Sequence, residues 1–213
     1  MNFIHADLEN YAAEHSGKES ALLTELNRET HLKTTMPRML SGHLQGRVLS
    51  LLSHLVKPET ILEIGTFTGY STLCLAEGLR ANGQLFTIDT NEETSLIAKK
   101  HFDRSAYSKQ IHLIHADARK HIPEMKEQFD LVFIDADKEN YLLYFNLVID
   151  KMKSGGLIIA DNVLWSGKVV EPVKENDKET HALMQFNDIA SSDNRVEPVL
   201  LPVRDGLLVL RVK

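Results

Sequence analysis

The sequence predicts a doubly wound α/β fold: a seven-stranded sheet, parallel for most of its width, that ends in an antiparallel hairpin and is preceded by helices. Two observations carry this. From Thr60 onward, short apolar runs such as Ile61-Leu62-Glu63-Ile64 and Asp130-Leu131-Val132-Phe133-Ile134 alternate with helix-patterned segments. Strands so continuously apolar are buried on both faces, which a parallel sheet under crossover helices provides. The last two strand-like runs, residues 195–203 and 207–212, are joined across Arg204-Asp205-Gly206 with no helix between them, so they are expected to pair antiparallel.

Taken in order, residues 18–30 carry Leu22, Leu23 and Leu26 at helical spacing. Residues 43–56 form a second helix, with Val48, Leu49, Leu51, Leu52 and Leu55 on its inner side and Pro58 closing it. Strand 61–64 leads through a glycine-bearing turn to a helix at 70–79. Then come strand 84–88, helix 91–102, strand 111–114, a helix near 119–126, strand 130–134, helix 138–152 and strand 157–160. The 213 residues suit a single domain: residues 1–40 as a helical cover, residues 41–213 as the core.

Composition narrows the function classes. Hydrophobic residues make up 43% and charged residues 25%, which is ordinary globular usage and not that of a disordered chain. The formal net charge of −6 disfavours a general attraction to nucleic acid. The single cysteine, Cys74, allows no internal disulfide; within Leu73-Cys74-Leu75-Ala76 it reads as a small buried hydrophobe. The start, Met1-Asn2-Phe3-Ile4-His5-Ala6-Asp7, lacks the basic and apolar stretches of a secretory signal. No run approaches the roughly 20 apolar residues of a membrane span. A cytoplasmic protein is expected.

Ligands of doubly wound sheets bind beyond the carboxyl ends of the strands, so the residue after each strand matters. After the first comes Gly65-Thr66-Phe67-Thr68-Gly69-Tyr70-Ser71, either a plain strand–helix turn or a cofactor loop with an anion at the helix N-terminus and Ser71 adding a hydroxyl. Asp89 ends the second strand, where a carboxylate either accepts two ribose hydroxyls or caps the next helix. Asp117-Ala118 follows the third strand, beside an adenine or as a cap. Asp135-Ala136-Asp137-Lys138 and Asp161-Asn162 follow the fourth and fifth. Asp135, Asp161 and Asn162 thus supply two carboxylates and an amide oxygen, hard ligands suited to Mg²⁺; a divalent cation also relieves the repulsion between the two acids. The alternative is that the acids cap loops. The ten histidines form no zinc pattern. Lys138 is either a surface lysine opening a helix or a base beside the cation. Trp165, the only tryptophan, either walls a flat aromatic substrate or belongs to the core.

With these residues in view, the chain resembles the caffeoyl-CoA and catechol O-methyltransferases, particularly the small bacterial type, over roughly residues 15–213. The resemblance rests on Leu62-Glu63-Ile64-Gly65 through Gly69-Tyr70-Ser71, on Phe133-Ile134-Asp135-Ala136-Asp137-Lys138-Glu139-Asn140-Tyr141, on Asp161-Asn162-Val163-Leu164-Trp165-Ser166-Gly167, and on Leu201-Pro202-Val203-Arg204-Asp205-Gly206. It implies the Rossmann-like sheet of class I S-adenosylmethionine-dependent methyltransferases. It implies S-adenosylmethionine at Ser41, Glu63, Gly65, Thr66, Ser71, Asp89, Ala118, Asp135 and Asp137. Mg²⁺ (or Mn²⁺ or Ca²⁺) is implied at Asp135, Asp161 and Asn162, with Lys138 as general base, Tyr144 and Trp165 on the substrate side, and a homodimer.

Where the plant enzymes carry a basic and aromatic stretch for coenzyme A esters, this chain has Asn176-Asp177-Lys178-Glu179-Thr180-His181, which favours small free catechols. A hydroxylated uridine of transfer RNA is the alternative acceptor. A NAD-dependent oxidoreductase is opposed by the missing G-x-G-x-x-G and by Asp161-Asn162; a catalytically silent binding protein is opposed by the intact acidic cluster.

Overall fold

The computed structural model describes residues 5–213. Helices α1 (Ala6–Glu14), α2 (Ala21–Lys33) and α3 (His43–Val56) precede β1 (Thr60–Ile64). There follow α4 (Tyr70–Ala76), β2 (Gln84–Asp89), α5 (Glu92–Phe102), β3 (Ile111–His115), α6 (Ala118–His121), β4 (Phe129–Ile134), α7 (Tyr141–Val148), β5 (Met152–Asp161), α8 (Lys178–Ser192), β6 (Val196–Leu201) and β7 (Leu207–Val212). The seven strands form one sheet in the order β3-β2-β1-β4-β5-β7-β6. The first five are parallel, and β7 runs antiparallel to both its neighbours; toward β6 the missing crossover helix requires it.

Alternate strand residues face opposite layers. Leu62, Ile64, Val132, Ile134 and Ile158 join one apolar cluster with α7 and α8. Ile61, Leu131, Phe133 and Ile159 join the other with α2, α3 and α4. Leu23 and Leu26 of α2 are 1% and 0% exposed in that second cluster, so this N-terminal helix contributes to the core as well as lying over it. Cys74 is fully buried there, and burial pushes its thiol up to about 12.

Several expected boundaries shift for local reasons. Ser20 caps α2, accepting from the Leu23 N–H at 3.2 Å, so the helix starts at Ala21 and not at Lys18. The helix expected at 119–126 ends at His121 and tightens into a 3₁₀ turn, Ile122–Glu124, carrying Pro123, which cannot donate to an α-helical ladder. The helix expected at 138–152 is α7 flanked by 3₁₀ turns. Helix α8 was not anticipated, although Leu183, Phe186 and Ala190 sit at helical spacing and Asp177 caps it. Leu51 and Leu55, expected inside, face outward at 58% and 70% exposure. The buried side of α3 is Gln45, Gly46, Leu49, Ser50 and Ser53.

Register positions the site. Ile64 of β1 lies opposite Ile88 of β2 and Ile134 of β4, and Ile134 lies opposite Ala160 of β5. The next residues, Gly65, Asp89, Asp135 and Asp161, therefore leave four adjacent strands at one level. The strand order reverses between β1 and β4, which is where doubly wound sheets open a crevice. Among the described residues, no helix is long and apolar enough to cross a membrane.

Candidate active site

A cleft of about 1560 Å³ opens at this edge. Gly65, Asp89, Ala118, Asp135, Asp137, Lys138, Tyr144, Asn162 and Trp165 all border it. Ser41, Thr66 and Ser71 border a small recess that shares Gly65 and Asp135 with the cleft.

The glycine loop is braced from two sides. Gly65 has φ +98°, and a Cβ there would stand 1.9 Å from the Asp135 carbonyl oxygen, so only glycine lets the chain leaving β1 pass this close to the backbone leaving β4. Asp89 Oδ2 accepts from the Thr66 and Phe67 N–H groups at 3.0 and 2.8 Å, and its Oδ1 accepts from the Asn91 N–H at 2.8 Å. The cap of α5 is Asn91, bonded to the Thr94 N–H, so Asp89 is not the cap. Glu63 is fully buried behind the loop and accepts from the hydroxyls of Ser71 (2.5 Å), Thr87 (2.6 Å) and Thr72. Burial raises its carboxyl to about 7. Glu63 thus supports the loop from beneath, and the Ser71 hydroxyl proton, expected to be free for a ligand, is directed at Glu63.

Asp117 caps α6 and pairs with Arg119 at 2.8 Å, and the hydrogen bond from that guanidinium lowers its pKa. Asp137 accepts from the Tyr144 hydroxyl at 2.6 Å and from the Asn140 amide. Tyr144, expected on the substrate side, borders the cleft, is 4% exposed and donates to Asp137 near Arg119.

At the centre, Lys138 is 6% exposed. Its Nζ donates to Asn162 Oδ1 at 2.8 Å, to Asp135 Oδ1 at 3.3 Å and to the Tyr141 hydroxyl. It lies 4.5 Å from the centre of the Tyr141 ring and 5.8 Å from that of Trp165. Tyr141 is anchored in turn on the Asp161 carbonyl at 3.0 Å. Asn162 has φ +58°, a left-handed turn straight after β5. Asp161 is 1% exposed; burial first, and the Asp135 charge second, push its carboxyl up to about 7. Its Oδ1 accepts from the Asn162 N–H at 2.7 Å and its Oδ2 from Gln45 Nε2 at 2.6 Å.

These residues fit a hard cation. Asp135 and Asn162 already turn their oxygens onto one positive charge, the Lys138 ammonium. The mutual repulsion of Asp135 and Asp161 is what a divalent ion relieves. Trp165 borders the cleft and also packs on the core cluster, its indole N–H buried and without a hydrogen-bond partner among the described residues. Its loop is held by Asp205, whose carboxylate accepts from the Ser166 N–H at 2.6 Å and whose carbonyl accepts from the Leu164 N–H at 2.9 Å.

Residues 13–213 match the model of a family described as O-methyltransferase. The chain belongs to this O-methyltransferase family. It is 32% identical to a catechol O-methyltransferase of Niastella koreensis, over all of this chain and 99% of that one. It is 33% identical to caffeoyl-CoA O-methyltransferase 1 of Nicotiana tabacum, over 86% of this chain and 82% of that one. The structure of an O-methyltransferase from Bacillus cereus in complex with SAH superposes with a TM-score of 0.88 at 29% identity, covering 97% of each chain. Membership makes this chain a transferase that moves a methyl group onto oxygen.

Three features of this O-methyltransferase escaped sequence reasoning. Gln45 reaches Asp161 from 116 positions away; its one local signal is a polar residue at inner-face spacing from Leu49. Arg204 donates to the carbonyls of Ser41 (2.8 Å) and Arg38 (2.8 Å), clamping the segment before α3 onto the cleft rim. A histidine also joins carboxylates after all, as Glu25, Glu29 and His101 lie within 4.8 Å of one another. Lys33, Lys100 and Arg104 already pair with those two acids at 2.6–2.7 Å, so the group ties α2 to α5 with its negative charge spent.

Proposed function

We propose that the cleft binds S-adenosylmethionine together with a divalent cation, Mg²⁺ or the similar Mn²⁺ or Ca²⁺, and that the acceptor is a vicinal-diol phenol such as a small catechol. One observation carries this reading: Asp135, Asp161 and Asn162 follow β4 and β5 side by side, Asp135 and Asn162 turning their oxygens onto Lys138 at the cleft and Asp161 lying buried just behind them, bonded to the Asn162 N–H. Asp135, Asp161 and Asn162 would hold the cation. When bound, the metal supplies Lewis-acid polarisation and a template for two adjacent oxygens. S-adenosylmethionine supplies the electrophilic methyl group.

The chain's own residues do the rest. Asp89 presents a carboxylate, already braced on the glycine loop, to the ribose hydroxyls. Ala118 borders the adenine, and Asp135 and Asp137 favour the positive end of the cofactor. Lys138 borders the cleft and, as the neutral amine once its own proton has left to solvent, would take the proton of the acceptor hydroxyl at Nζ. Trp165 walls the flat ring. Holding two reactants at near-attack distance accounts for much of the acceleration.

The test is metal removal with paired acceptors. Protein stripped by chelator and verified by elemental analysis should lose turnover, and Mg²⁺ or Mn²⁺ should restore it. The vicinal diol should be methylated far faster than the matching mono-phenol, which has one oxygen for the metal. Full activity of the stripped protein on a catechol overturns the metal assignment; equal rates on diol and mono-phenol overturn the chelation.

A further inference from the structure

Asp161 is the most deeply buried member of the acidic group, and the donor on its Oδ2 comes from the opposite end of the chain. Gln45 of α3, 1% exposed, gives an N–H from Nε2 to that oxygen at 2.6 Å. With the Asn162 N–H on Oδ1, both carboxylate oxygens are fixed in direction. We propose that Gln45 is a positioning residue for the cation: it sets the rotamer of Asp161 and stabilises its charge without cancelling it. This inference rests on the metal reading given above.

Three observations support it. The first is chemical: a buried carboxylate needs donors, and an arginine or lysine here would bring a fixed positive charge that competes with a cation, whereas an amide donates and stays neutral. The second is the other end of the same amide. Gln45 Oε1 is buried and has no hydrogen-bond donor among the described residues. A bare buried acceptor is unfavourable, and an apolar side chain of the same length avoids it; the amide's worth at this position therefore lies in its donor.

The third is rigidity. Helix α3 is locked where Gln45 leaves it. A Cβ on Gly46 would come within 2.7 Å of the Tyr70 ring and 2.8 Å of Cys74 Sγ, so the two helices touch there. Arg47 forks onto Glu77 at 2.9 and 3.0 Å, and Ser53 donates to the Leu75 carbonyl at 2.6 Å. A support of this kind holds a ligand only if its own backbone cannot yield.

The test uses full-length protein saturated with S-adenosylhomocysteine, titrated with Mn²⁺ by calorimetry. Gln45→Met keeps the length and removes the amide. The expected result is a Kd for Mn²⁺ raised 10- to 100-fold, on the order seen when partners of metal ligands are removed, with the affinity for S-adenosylhomocysteine unchanged. A general packing role would move both affinities together. Equal Mn²⁺ affinity in wild type and Gln45→Met overturns the inference and leaves the metal reading standing. Wild type that binds no Mn²⁺ overturns both. If the variant does not fold, wild-type protein labelled with ¹⁵N decides: the Gln45 side-chain amide signal should shift as Mg²⁺ saturates the site. An unmoved signal during saturable binding overturns the proposal.

Discussion

Replacing Glu63 by glutamine isolates a conflict built into the glycine loop. Three hydroxyls, from Ser71, Thr72 and Thr87, donate to the Glu63 carboxylate and favour its charge. Complete burial opposes it and wins, raising the group from its ordinary 4.5 to about 7. Between those two values the folded protein keeps a proton that the unfolded chain has released. Stability therefore falls as pH rises through this window and is level above it. A shift of this size corresponds to about 3 kcal/mol. Since the side chain is fully buried, solvent screening does not reduce it. Urea unfolding of wild type and Glu63→Gln, at about pH 4 and about pH 8, measures it. Asp161 titrates in both proteins and cancels in the difference. The wild-type advantage over the variant should shrink by about 3 kcal/mol on going to the higher pH. Parallel pH profiles refute the reasoning. So does an advantage that grows with pH, since it means that the three hydroxyls outweigh burial.

Asp89→Ala should weaken S-adenosylhomocysteine binding by ~1–3 kcal/mol in calorimetry, the scale of a lost charge-assisted hydrogen bond; unchanged affinity reduces Asp89 to a brace for the Thr66 and Phe67 amides. Gly65→Ala forces a methyl group against the Asp135 carbonyl and should lower stability by roughly 2–4 kcal/mol, read as a fall in Tm together with weaker Mn²⁺ binding. Arg204→Ala frees the Ser41 and Arg38 carbonyls; limited proteolysis between residues 34 and 42 should speed up, and an unchanged cleavage rate refutes the clamp.

Much of the site was legible because its residues follow apolar strands. Strand runs and turn chemistry are backbone preferences written locally, so Gly65, Asp89, Asp135 and Asp161 could be aligned on one edge before any contact was known. The antiparallel hairpin was equally local: without a crossover helix, β7 had no parallel option. Helix ends were less legible, since Ser20 and Pro123 act within a turn and shift a boundary by a few residues.

What the tertiary structure decided is which groups meet across layers. The outward turn of Leu51 and Leu55 follows from the axial rotation of α3, which is set by Gly46 closing onto Tyr70 and Cys74; apolar residues on several sides of that helix left the rotation open. The same rotation carries Gln45 to Asp161. Tyr144 joins Asp137, and the Ser71 hydroxyl joins Glu63, because a buried polar group takes whichever partner the packed layers bring within reach. That choice depends on helix rotation and on the distance between layers, which neighbouring residues in a sequence do not encode. The sequence by itself therefore determined the sheet and the row of acids along its edge; the packing of α3 and α4 against that edge decided how Asp161 and Glu63 are held.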